Sequence, residues 1–306
     1  MGSKEGQTIS QFRFAKMQGV GNDFVVIDGR KNGDFDWSGL AIEICDRHSG
    51  VGADGLLVLD DTRLADVMMR MYNPDGTPDV CGNGLRCVAR YAVERGLVAG
   101  DTLRVGTLAG VRPAQVHRDG CGRIVAVTVG MGLPRFDPPS IPMRAPGPRV
   151  IDYPLKVNVN TILPITVLST GSTHAITFVE ELPEDARFFS LSPQVEHHPL
   201  FPDRTSLMWC QVEGPSRLRM RIWERGAGET WGCGTGACAA AVAAILHGYA
   251  AEGEPVAVSS RGGELVIRWR EGEPIEMTGP AEFVFDGIYR LDPSRPIGTQ
   301  LLHDSY

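Results

Sequence analysis

With 306 residues, 42% hydrophobic and 22% charged, the chain has the balance of a soluble globular protein and length for two ordinary domains. A formal net charge of −7 argues against a nucleic-acid partner, whose phosphates attract a basic surface. The longest apolar run, Ala237 to Leu246, is about half of a membrane span, so no membrane partner is expected. Met1 to Ser10 has no apolar h-region and reads as a leader outside the fold. Seven cysteines, an odd number without an export signal, point to a reducing cytoplasm and not to a disulfide framework.

Along the chain, Phe12 to Met17 predicts a strand, broken at Gly19 to Asp23 and resumed in the β-branched run Phe24 to Asp28. Ser38 suits the N-cap of a helix through Leu40, Ile42 and Cys45. The loop His48 to Gly55 then leads into the strand Leu56 to Leu59. That loop matches G-x-G-x-x-G, but a dinucleotide site needs strand, turn, then helix, and here the order is helix, turn, then strand. Val67 to Tyr72 is a further strand, followed by the turn Asn73-Pro74-Asp75-Gly76. Cys81 opens a helix that stops at Gly96, and short strands follow at Leu103 to Val105, Gln115 to His117 and Ile124 to Val129.

The proline-rich stretch Leu133 to Pro154 reads as a crossing into a second half. Strands are expected there at Leu163 to Leu168, Ala175 to Val179 and Leu218 to Trp223. Cys233 opens a helix ending at Gly248, with strands at Val256 to Val258, Glu264 to Trp269 and Phe283 to Phe285. Counted from Cys81 and from Cys233, glycines recur at −5, +1, +3, +15 and +29. Five coincidences at one shift imply a duplicated plan, each glycine marking a turn or cap.

In both copies a cysteine stands in a Cys-Gly-x-Gly turn at a helix start: Cys81-Gly82-Asn83-Gly84 and Cys233-Gly234-Thr235-Gly236. A helix N-terminus offers unpaired N–H groups and partial positive charge, which favours a thiolate and binds a carboxylate. Two such ends around one carbon suit proton removal from one face and return to the other, with the carbanion's charge held at the amides. A thiol pKa near neutrality is the expectation for this work. Cys45, Cys121 and Cys210 read as inert core thiols, and Cys87 and Cys238 as packing residues within their helices. A zinc site would have to use C-x5-C with C-x4-C, which is not structural-zinc spacing. A redox dithiol lacks C-x-x-C, and a serine hydrolase lacks G-x-S-x-G.

At these residues the sequence resembles the diaminopimelate epimerase family, from Phe14 to about Gly287. The resemblance is carried by Lys16-Met17-Gln18-Gly19-Val20-Gly21-Asn22-Asp23-Phe24, the two cysteine turns, and Glu224-Arg225-Gly226-Ala227-Gly228-Glu229. It implies an α+β fold of two pseudo-symmetric α/β domains, each a curled mixed sheet around a central helix. The expected halves are residues 12–130 with a C-terminal return at 279–306, and residues 131–278. It further implies an isomerase that uses no cofactor, neither pyridoxal phosphate nor metal. Cys81 and Cys233 would be the acid–base pair, and amides of Gly82, Asn83, Gly234 and Thr235 would hold the reacting carboxylate. Asn22, Asn73, Glu224 and Arg225 match substrate positions, with Arg225 a bidentate partner for a distal carboxylate. His174 matches a histidine near the site, against the plain alternative of a satisfied core histidine.

Two departures fall where the family carries asparagines: Gly171-Ser172-Thr173-His174 and Arg204-Thr205-Ser206. Ser172 and Ser206 are shorter and carry a hydroxyl in place of an amide, and the loop Asn73 to Cys81 is one residue short. The expected activity is epimerisation of LL- to meso-diaminopimelate, a step of lysine biosynthesis. A racemase for another amino acid in specialised metabolism, histidine or a basic one, is the runner-up. A thiol-redox or metal-binding protein is the alternative from another class. The partner expected is a small-molecule amino acid, and the oligomeric state stays open, a homodimer included.

Overall fold

The computed structural model describes residues 11–79 and 81–291. The expected leader and the end of the expected return, residues 292–306, lie outside the described residues. The chain forms two compact units, one of residues up to Gly19, Asp23–Pro113 and the return from Ala281, the other of Val20–Asn22 and Ala114–Pro280.

The first unit runs β1 (Gln11–Gly19), β2 (Asn22–Asp28), α1 (Trp37–Cys45), β3 (Gly55–Asp60), β4 (Val67–Tyr72), β5 (Pro78–Asp79), α2 (Gly82–Glu94) and β6 (Thr102–Thr107). β7 (Gly110–Arg118) carries the chain onward to β8 (Ile124–Gly132), β9 (Val150–Asn158), β10 (Thr161–Ser169), β11 (Thr173–Val179) and α3 (Asp185–Glu196). Then come β12 (Ser206–Gly214), β13 (Arg217–Glu224), β14 (Gly228–Thr230), α4 (Gly234–Leu246), β15 (Val256–Ser260), β16 (Gly263–Arg268) and β17 (Ile275–Gly279). β18 (Glu282–Arg290) returns to the first unit and lies antiparallel to β1, Phe14 opposite Gly287. The boundary expected near residue 130 falls inside the second unit, because β8 is hydrogen-bonded to β17 and to β7 from Ala114 onward.

The duplicated plan is visible strand by strand. β2 and β3 are parallel, β3 and β4 antiparallel, β4 and β6 parallel, with β5 paired to β4. In the second unit β11 and β12 are parallel, β12 and β13 antiparallel, β13 and β15 parallel, with β14 paired to β13. Helices fall at the same places: α1 with α3, and α2 with α4. The fold is α+β, with mixed sheets and pseudo-symmetric halves as expected.

α4 is apolar on every side, and Ala237 to Ala244 are all fully buried, which is the sequence signature of a helix enclosed by its sheet. It packs on β10, β11, β12, β15, β16 and β17. α2 packs on β1, β3, β4 and β6 and keeps a wetter face, where Arg90 pairs with Glu94 one turn on. Each unit has a core of its own: Phe12, Ile27, Leu40, Ile44 and Leu56 among others in the first, and Leu163, Ile165, Phe188, Leu207 and Trp209 in the second.

Several local expectations are corrected. The N-cap of α1 is Asp36, whose carboxylate accepts from Gly39 N–H at 2.9 Å; Ser38 lies inside the helix and donates to Gly76 O. Cys121 is not a core thiol but sits exposed in the β7–β8 turn, where Asp119 accepts the backbone N–H groups of Cys121 and Arg123. Cys45 and Cys87 are buried, and desolvation pushes both thiols up to about 12; Cys210 is buried and raised likewise. The glycines of the G-x-G-x-x-G loop serve packing: a Cβ on Gly50 would sit 2.2 Å from Glu43 O, and Gly52 has φ +76°. The Lys16 ammonium closes that loop against Gly52 O and pairs with Asp23.

Candidate active site

In the first unit Cys81 is the N-cap of α2, at φ −138° and ψ 118°, and its sulfur accepts from Gly84 N–H at 3.3 Å. Cys233 repeats this in the second unit as N-cap of α4, at φ −130° and ψ 107°, accepting from Gly236 N–H at 3.4 Å. Both helices are 13 residues long and both end ahead of a left-handed glycine, Gly96 at φ +66° and Gly248 at φ +74°. A side chain on the glycine two residues inside each helix would press on a neighbouring side-chain end: a Cβ on Gly84 would lie 2.9 Å from Leu57, and one on Gly236 2.6 Å from Met208. The shared glycines are thus not all turns or caps: Gly84 and Gly236 lie inside helices against side-chain ends, and Gly262 lies against the Val20 backbone, where no side chain fits.

After Cys81, the backbone of Gly82 and the buried Asn83 opens α2, and the turn headed by Asn73 precedes it in the chain. Asn73 braces that turn, its amide donating to Thr77 Oγ1 at 3.1 Å and to Asp79 Oδ2 at 3.3 Å.

Around Cys233 the second unit gathers most of the remaining sequence-predicted residues at one end of its sheet. β11 and β12 begin side by side, with His174 opposite Ser206, and β13 ends beside them at Glu224. Ser206 Oγ accepts the backbone N–H of Arg225 at 3.1 Å, and the Arg225 guanidinium is exposed, donating to Asp203 O at 3.0 Å. The loop before β11 is tied to the start of α4, since Thr170 Oγ1 donates to Thr235 O at 2.8 Å. Asn22 belongs to this unit as well. Its neighbour Val20, at φ +52°, points its carbonyl at Gly232 and Gly262, where a Cβ would come within 2.1 and 1.9 Å.

The electrostatics reverse one expectation. Cys233 is buried and faces Glu224, so desolvation first and the carboxylate's charge second raise its pKa well above the usual thiol value. The N–H of Gly236 and the Thr235 hydroxyl act the other way and do not prevail. Cys233 therefore rests as a protonated thiol, with Glu224 beside it as a proton acceptor. Thr230, which the sequence spacing did not single out, fixes that carboxylate by donating to Glu224 Oε1. His174 is fully buried, and desolvation, then the charge of Arg225, lowers its pKa to about 3. It is neutral, with Nε2 3.1 Å from Ser172 Oγ and no hydrogen-bond partner at Nδ1 among the described residues. Among the described residues no three His, Cys, Asp or Glu side chains gather as a metal cluster, and no helix is long and apolar enough to cross a membrane.

The model of the family described as diaminopimelate epimerase matches residues 14–136 and 166–284. The chain is 47% identical over 279 residues to a diaminopimelate epimerase of Pelotomaculum thermopropionicum, covering 90% of this chain and 98% of that one. It is 45% identical to that of Moorella thermoacetica over 282 residues, 91% of this chain and 99% of the other. Among solved structures, a hydroxyproline epimerase from Agrobacterium vitis with bound trans-4-hydroxy-L-proline is similar in fold. The TM-score is 0.68 at 16% identity, over 95% of this chain and 94% of that one.

Proposed function

The chain belongs to the diaminopimelate epimerase family, and we propose that it interconverts LL- and meso-diaminopimelate by proton transfer between two cysteines. The observation that carries this is the repeated N-cap: Cys81 and Cys233 share backbone conformation, N–H···S contact and helix-end amides, one in each unit. The two sulfurs act on opposite faces of one α-carbon. The thiolate of Cys81 takes the α-proton, and the C–H electron pair moves toward the carboxylate. Helix-end N–H groups of Gly82, Asn83, Gly234 and Thr235 receive that charge. Cys233 gives its proton to the opposite face and becomes the thiolate, completing the inversion without net gain or loss of protons. In the reverse direction the roles exchange: the Cys233 thiolate takes the α-proton and the Cys81 thiol gives its own to the opposite face.

Arg225 binds the distal carboxylate, because its guanidinium is exposed, with its backbone N–H held by Ser206 Oγ and its Nη1 by Asp203 O. Asn22 and Asn73 bind the remaining polar groups of a free amino acid in the cytoplasm. Ser172 and Ser206 favour a second reading, a racemase of another amino acid. Their hydroxyls face His174 Nε2 and the Arg225 N–H and are shorter than amides.

One screen tests both readings: solvent deuterium incorporation at Cα over L- and D-amino acids, the diaminopimelate isomers included, with no added cofactor. Exchange is expected for diaminopimelate, and Cys81→Ser and Cys233→Ser should each lower it by about 10² or more. Wild-type exchange rates in both variants would defeat the mechanism, and exchange confined to another amino acid would select the runner-up.

A further inference from the structure

Glu196, the last residue of α3, is one of the few carboxylates buried in the second unit, its side chain only 4% exposed. Three donors converge on it. Gly226 N–H donates to Oε1 at 2.9 Å, Arg204 Nη1 to the same oxygen at 3.1 Å, and Trp223 Nε1 to Oε2 at 2.7 Å. Two of these donors flank Glu224 and Arg225, one at the end of β13 and one just beyond it. The third, Arg204, holds the segment that supplies the other partners of Arg225: Asp203 O and Ser206 Oγ. That segment bends through Arg204 at φ +60°, a left-handed conformation rare outside glycine, and Glu196 O takes the N–H of Thr205 at 3.2 Å. The Arg204 guanidinium then lies against Gly226, within 3.7 Å of where a Cβ would stand.

From this convergence we infer that Glu196 is a positioning residue for substrate binding. It clamps the segments 203–206 and 223–226 together and so fixes where Arg225 presents its guanidinium. The inference rests on Arg225 being the distal-carboxylate partner. Glu224 depends on the clamp less, because the β14 pairing at Gly228 and the Thr230 hydroxyl hold it independently. The clamp therefore governs affinity more than the proton transfer itself.

The test is Glu196→Gln in the full chain. An amide in this place presents an NH2 group to the indole N–H or the guanidinium, donor against donor. KM for diaminopimelate should rise roughly tenfold or more at 25 °C, with kcat falling by a smaller factor. Amide exchange of the peptide spanning residues 222–230 should quicken at the same time. A merely structural Glu196 would lower the melting temperature and the active fraction while leaving KM unchanged.

Should Glu196→Gln not fold, Arg204→Ala removes one donor from a half-exposed side chain and should move KM and exchange the same way by a smaller factor. Arg204→Lys should restore part of the loss. An unchanged KM in folded variants, or exchange at 222–230 equal to wild type, overturns the inference. A wild-type protein inert toward diaminopimelate would defeat the functional reading instead, and the exchange measurement would still decide whether Glu196 clamps the loop.

Discussion

Two side chains near the helix ends show how burial decides chemistry that residue type alone leaves undetermined. A cysteine at a helix N-terminus leads one to expect a lowered pKa, yet Cys233 is held protonated, because it is enclosed and faces the Glu224 carboxylate. The motif singled out two cysteines, and the structure places both as helix N-caps in matching positions. The motif did not disclose their solvent exposure, which depends on strands far along the chain. Removing the charge should lower the thiol pKa: in Glu224→Gln, alkylation of Cys233 is expected to begin at lower pH than in wild type. Epimerisation should fall by roughly 10² because Glu224 no longer holds the Cys233 proton in place for transfer. Mass spectrometry of alkylated peptides across a pH series reads the first, and deuterium exchange at Cα the second.

His174 gives a pH dependence of opposite origin. Its folded pKa is lowered from 6.5 to about 3, so between those values the unfolded chain binds a proton that the folded chain refuses. Stability from this residue is complete above pH 6.5 and declines below it, by about 1.4 kcal/mol per pH unit. His174→Gln cannot be protonated, so its stability should fall less steeply with acid. Urea unfolding at pH 7, 6 and 5 should show the two proteins converging or crossing, whereas parallel curves would mean that His174 titrates alike in both states.

At the scale of elements, regular patterns were legible and compensated irregularities were not. The alanine-rich α4 and the apolar strands β2 and β3 follow from composition. α3 escaped notice because Pro193 lies within it; its apolar stripe of Phe188, Leu191 and Val195 was the available signal. β9 was hidden inside a proline-rich stretch, where Pro154 stands opposite Pro164 of β10. β12 is buried on both faces over Ser206 to Cys210 and so lacks the alternation that marks a half-exposed strand.

The glycines separate in the same way, by what their missing side chains would strike. A methyl on Gly236 meets the flexible end of Met208, which can turn aside, so Gly236→Ala should cost less than about 1.5 kcal/mol. A methyl on Gly262 would lie 1.9 Å from the Val20 carbonyl, and backbone cannot turn aside. Gly262→Ala must therefore displace the tip that carries Asn22, at about 1–3 kcal/mol or more, and activity should fall with it. Denaturant midpoints and KM values for the two variants, measured side by side, check the contrast.

For the whole molecule, the duplication was legible because it is written twice. Five glycines at a constant shift exposed it, and the strand directions of the two units repeat in the same order. The place where one unit gives way to the other was not legible, because the pairing of β8 with β17 joins residues about 150 positions apart, which no local pattern records. Separate cores have a consequence for stability. Leu56 is fully buried in the first core and Leu207 in the second, so truncating either leaves a cavity costing about 2–5 kcal/mol within one unit. Where units open separately, that cost falls on the opening of the damaged unit. Leu56→Ala should then quicken amide exchange in peptides from residues 23–72 while those from 163–212 keep near wild-type protection, and Leu207→Ala should do the reverse. Equal acceleration of both sets in either variant would show instead that the duplicated halves unfold as one cooperative body.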